Sequence, residues 1–115
     1  MYDLTTIKRI SKNDNAVISK YIHAFIKSSH EQLQDIDKLM DGNKWDGVAD
    51  ILHKMKTSVA YFGMNDIEQI VIQAEADIRN NVGKTIVEGQ MEEIARLLTG
   101  SLQSLQEEIN SLEGF

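Results

Sequence analysis

Residues 51–63 read Ile51-Leu52-His53-Lys54-Met55-Lys56-Thr57-Ser58-Val59-Ala60-Tyr61-Phe62-Gly63. At about 100° of rotation per residue, Val48, Leu52, Met55, Val59 and Phe62 stack into one apolar stripe, which predicts a helix with that stripe turned to a core. His53 lies off the stripe. Ala49, Lys56, Thr57 and Ala60 share its flank, at i−4, i+3, i+4 and i+7. The imidazole is therefore expected at the edge of the buried face, at least partly open to solvent, beside a lysine and among short side chains. Small neighbours leave room around the ring, and a fixed cation one turn away favours an anion there. Such a seat suits a histidine that accepts a phosphoryl group.

The segments on either side repeat the helical period. Leu4, Ile7 and Ile10 predict a short amphipathic helix over Asp3–Ile10 that covers one end of a bundle. Ser11-Lys12-Asn13-Asp14 is a turn in which Asn13 or Asp14 caps the next helix. That helix runs to about Met40, with Ile18, Tyr21, Ile22, Phe25, Leu33, Ile36 and Leu39 on its apolar side. Asp41-Gly42-Asn43 ends it, and Trp45 opens the central helix as an anchor under the turn. Gly63 is expected to close the central helix as a left-handed cap. Asn65, with Glu68 three residues on, predicts a capping box for a helix that buries Ile67, Ile70 or Val71, Ala74 and Ile78. Asn80-Asn81-Val82-Gly83 stops that helix. Thr85 and Glu88 predict a second capping box, for a last helix carrying Val87, Met91, Ile94, Leu98, Leu105, Ile109 and Leu112 on one side.

No stretch alternates with the period of a strand, and no repeat or linker divides the chain. The expectation is an all-α protein, one domain over residues 1–115. Its architecture is an antiparallel up-down four-helix bundle with a short extra N-terminal helix. A length of 115 residues suffices for one core. Proline is absent, so nothing interrupts long helices. Cysteine is absent too, which excludes disulfides and thiolate metal sites. A net charge of −6 with no basic arm argues against nucleic-acid binding. No apolar run approaches the length that spans a bilayer, and the N-terminus lacks the pattern of a signal peptide. The expected setting is the cytoplasm, with no membrane contact.

The run His53-x-Met55-Lys56-x-Ser58-x-x-x-Phe62-Gly63 resembles the signature of histidine-containing phosphotransfer (HPt) domains of two-component phosphorelays. The family pattern is His, any residue, an aliphatic, Lys, Gly, then small residues, and a large apolar residue before Gly. Six positions match, and one departs: Thr57 stands where the family has Gly. Ile67 and Glu75 fall where the next family helix carries an aliphatic and a glutamate. The resemblance implies that His53 takes a phosphoryl group from the aspartyl phosphate of one receiver domain and passes it to another. It implies as partners the receiver domains of response regulators and of a hybrid sensor histidine kinase. The chain would need no cofactor, since the receiver supplies Mg and the acidic pocket, and it would act as a monomer.

Within that reading Lys56 offsets charge on the transferring group, and Lys54, pointing more to solvent, meets the acidic receiver. Gln32, Ser58 and Glu75 are candidates to orient the ring, and the small Ala60 flanks it. Thr57 either crowds the reactive nitrogen or donates its hydroxyl to a phosphoryl oxygen. No Gly-rich phosphate loop is present, so ATP binding and self-phosphorylation are not expected. His23 and His30 are seven apart on one helix and are read as surface residues, with Glu31 and Asp35 only weak further ligands for a metal. Tyr61 is either packed at the rim or part of a partner surface. The alternative function class is an HPt-like interaction bundle that binds receivers without transfer, with Thr57 as the cause.

Overall fold

In the computed structural model, which describes residues 1–114, the chain forms five helices. They are α1 (Thr5–Ile10), α2 (Asn15–Asp41), α3 (Trp45–Tyr61), α4 (Asn65–Arg79) and α5 (Lys84–Leu112). Helices α2 to α5 run up and down, and α2 packs on α3, α3 on α4, α4 on α5 and α5 back on α2. Among the described residues there is no strand. The apolar stripe of α3 is buried throughout: Val48, Leu52, Met55, Val59 and Phe62 all lie in the core, against Ile22, Ile67, Val71, Ile94 and Leu98. None of the helices is long and apolar enough to cross a membrane.

The helices stop in one recurring way. After α3, Gly63 takes φ +63°, its N–H donates to the Ala60 carbonyl, and the Met64 N–H reaches back to Val59. This is the Schellman pattern, which satisfies carbonyls a helix end leaves free. Asn43 closes α2 and Asn81 closes α4 with the same pair of bonds and the same positive φ. Asn tolerates that conformation; at position 63 something stricter applies. A Cβ on Gly63 would stand 2.6 Å from the Asp3 Cβ and 2.8 Å from the Asp3 carbonyl oxygen. Only glycine fits both the dihedral and the approach.

That approach belongs to an N-terminal strap. Helices α2 and α5 have 27 and 29 residues, and α3 and α4 have 17 and 15. At 1.5 Å per residue the long pair outruns the short pair by roughly 20 Å, which accounts for a body of 46 × 21 × 18 Å. The strap covers the overhang. The Met1 amino group donates to Ser101, the Tyr2 hydroxyl to Glu108 and the Asp3 N–H to the Phe62 carbonyl, and Leu4 and Ile7 are buried. Phe25 of α2 stacks on Phe62 with ring centroids 4.2 Å apart.

Several local expectations give way. The capping boxes at Asn65 and Thr85 do not form. Helix α4 starts from Met64 and α5 from Gly83, neither with a side-chain cap. Met64 is fully buried. Burying a methionine contributes about 2 kcal/mol against about 1 kcal/mol for a cap, so core packing sets where α4 begins. Of the two candidates before α2, Asp14 is the cap and accepts from the Ala16 and Val17 N–H groups. Ile10 and Tyr21, expected in the core, are exposed. With Tyr61 they edge an apolar cleft of about 450 Å³ between α1, α2 and α3, floored by Phe25 and Phe62.

Candidate functional site

Helix α3 packs on α4 along the flank that begins at Ala49. Ala49, one turn before His53 on the flank the two share, is fully buried. One turn on, the α3 surface emerges, and the His53 side chain is 64% exposed. Its Nδ1 lies 3.0 Å from Oε2 of Glu75 on α4. An ionised carboxylate only accepts, so Nδ1 carries the proton, and in the neutral ring Nε2 keeps its lone pair. Glu75 itself is only 13% exposed. Burial pushes its carboxyl up, but hydrogen bonds from His53 and Arg79 and the nearby charges of His53 and Lys56 outweigh this. They hold it below the usual carboxylate range. It therefore stays ionised as an acceptor at neutral pH.

Two cations share that carboxylate. Lys56 Nζ stands 3.7 Å from Oε1, and Arg79 Nε donates to Oε2 at 3.3 Å. Arg79 also reaches back to α3, where its terminal nitrogen donates to Oδ1 of Asp50 at 3.1 Å. The site is thus a chain of alternating charge, Lys56, Glu75, Arg79 and Asp50, with the imidazole on its central carboxylate. Sequence reasoning named Lys56 and Glu75 but missed Arg79 and Asp50. The signal was present: Arg79 is four residues beyond Glu75 and Asp50 three before His53, so each shares a helical face with a named residue.

The remaining candidates divide. Thr57 and Ala60 are exposed on the His53 flank, and with Lys56, Tyr61, Thr6 and Glu68 they line a shallow cleft. Thr57 makes no side-chain hydrogen bond among the described residues. Lys54 is exposed and without an ion pair among them. Gln32 and Ser58, expected as possible ring partners, make no hydrogen bond to it. Ser58 stands on the opposite flank and lines the apolar cleft. Five residues of rotation place it about 140° from His53, too far to reach the ring. His23 and His30 are exposed, and among the described residues no group of three or more His, Asp or Glu is placed to hold a metal ion.

A family model, that of the Hpt domain, matches residues 20–114. The chain belongs to the Hpt family. Comparison with curated proteins and with solved structures gives no match. Membership in the Hpt family implies phosphotransfer in two-component signalling and interaction with receiver domains. Hpt domains are phosphocarriers and not enzymes. The match runs from within α2 through the end of α5, so it takes in part or all of each of the four bundle helices, while α1, the strap and the first turn of α2 lie outside it.

Proposed function

We propose that His53 is the phosphoryl acceptor, charged by the aspartyl phosphate of one receiver domain and discharged to the aspartate of another. The observation that carries this reading is the ring itself: exposed, its Nδ1 proton held by a mostly buried carboxylate, its other nitrogen left to solvent. The Nε2 lone pair forms the N–P bond as the P–O bond to the donor aspartate breaks, and the electron pair leaves with that carboxylate. The Nδ1 proton remains on Glu75's side of the ring throughout, so no base is needed. Lys56 stands one turn from His53 and offsets charge on the arriving group. On this reading the divalent cation belongs to the receiver, and the chain neither binds ATP nor phosphorylates itself.

The receiver has a surface to cover. Tyr61 lies eight residues beyond His53, about 12 Å along the helix. It leads from the ring to the apolar cleft edged by Ile10 and Tyr21. Exposed Lys54 lies on the same side of α3 and faces the acidic pocket of the partner. The upstream receiver is proposed to be that of a hybrid sensor kinase, and the downstream one that of a response regulator. The carrier acts as a cytoplasmic monomer, which sedimentation and cell fractionation test. The direct test of function is incubation with a phosphorylated receiver domain. Acid-labile, base-stable label on His53 is expected, and label that never leaves the receiver would reduce the chain to a binding module.

A further inference from the structure

We propose that Arg79, backed by Asp50, is a positioning residue that sets the pH range over which His53 takes up a phosphoryl group, by sharing the Glu75 oxygen on which the ring rests. This rests on the reading of His53 as the acceptor. A carboxylate beside an imidazole has two effects that conflict in a nucleophile. It fixes the proton on Nδ1 and so frees Nε2. It also stabilises the imidazolium, whose Nε2 is protonated and cannot attack.

Arg79 separates the two effects. Its Nε and the ring Nδ1 donate to one atom, Oε2, at 3.3 and 3.0 Å. The guanidinium draws charge and acceptor strength from that oxygen while the ring keeps its bond. Asp50, at 3.1 Å on the far side of Arg79, moderates the guanidinium in turn. The charged groups around the site are Asp50, Lys54 and Lys56 from α3 and Glu68, Glu75 and Arg79 from α4, Glu68 lining the shallow cleft beside Lys56 and Thr57. Among the described residues, α2 and α5 add no ion pair to any of them. Neutralising Arg79 leaves the local balance more negative; neutralising Asp50 leaves it more positive. The two changes must move the ring in opposite directions.

The test uses the full chain. The His53 ring is titrated by NMR, and uptake from phosphoramidate is timed against pH. This small donor forms the N–P bond to Nε2 as ammonia leaves, so no partner protein is required. Arg79→Gln should move the titration midpoint and the acid limb of the rate profile up by about half a pH unit. Asp50→Asn should move both down by less, because its carboxylate is well exposed and screened. Arg79→Lys, which keeps the charge, should restore most of the wild-type profile. If Arg79 merely held Glu75 in place, its loss would free the carboxylate and Arg79→Gln would behave like Glu75→Gln, with both midpoints lowered. A midpoint unmoved or lowered in Arg79→Gln, or shifts of one sign in both variants, overturns the inference, and the Asp50→Asn arm decides it even where Arg79→Gln folds poorly. Wild-type protein that takes up no phosphoryl group at any pH instead overturns the acceptor reading.

Discussion

His53 and His23 each place a ring nitrogen against a glutamate oxygen, at 3.0 and 3.3 Å, and both rings are more than half exposed. The glutamates differ. Glu75 is 13% exposed on a packed helix and is held by two cations as well as the ring. Glu113 is 37% exposed beyond the end of α5. There it accepts from Ser19 at 2.5 Å and from His23, and these bonds lower its carboxyl below the usual range. Either pair fixes a tautomer on paper. Only the first is anchored in a rigid helix pair with cations beside it, and an imidazole–carboxylate distance alone does not separate a site from a surface contact.

The sharpest way to break this comparison is to exchange the two rings' fates. His53→Gln should fold, by circular dichroism, and take up no label from a phosphorylated receiver, while His23→Gln should behave as wild type. Label retained without His53 would hand the site to His23 or His30. Next in size is the pair of glutamates. Glu75→Gln should slow transfer by roughly tenfold or more, as loss of a partner that fixes a ring tautomer does elsewhere. Glu113→Gln should alter it less than twofold. Equal effects would mean that anchoring of the carboxylate is irrelevant.

Lys56→Ala is expected to act more mildly, slowing transfer about three- to tenfold and shortening phosphohistidine lifetime, with little change in thermal midpoint. The smallest effect is on stability. The Glu75 carboxyl is lowered in the folded chain from an ordinary 4.5. Its contribution is therefore present above that value and is lost as pH falls through the lower folded one. Urea unfolding should show Glu75→Gln weaker than wild type by on the order of 1 kcal/mol at pH 7, with the gap closing in acid. A gap that widens in acid would reverse the sign assigned here.

How much of this is legible in the chain depends on the distance over which each feature is decided. The stripe from Val48 to Phe62 is periodic and local, and the structure buries every member. Gly63 is a local signal too, though the reason it must be glycine, the backbone of Asp3, is sixty residues away. The start of α4 was misplaced because the cap pattern at Asn65 competes with a buried Met64 that no short motif announces, while α5 begins from Gly83, ahead of Thr85. In the site, Glu75 was one of three ring candidates. Rotation alone disqualifies Ser58, whereas choosing Glu75 over Gln32 requires knowing which neighbour of α3 lies on the His53 flank. Arg79 and Asp50 escaped because each looks like a solvated charge until α3 and α4 are docked antiparallel.

The three-residue link Phe62–Met64 joins the two helices that hold the whole polar network, from Asp50 to Arg79. Such contacts are close in sequence, so they can form early in folding, before the long helices at either end of the chain find each other. They also make the network portable. A helical hairpin of residues 45–79, given an apolar bed in place of α2 and α5, carries its charges and its imidazole with it. Grafting that hairpin onto an unrelated four-helix bundle and recovering the ring's titration there would show that the site is a property of the hairpin and that the rest of the fold is its foundation.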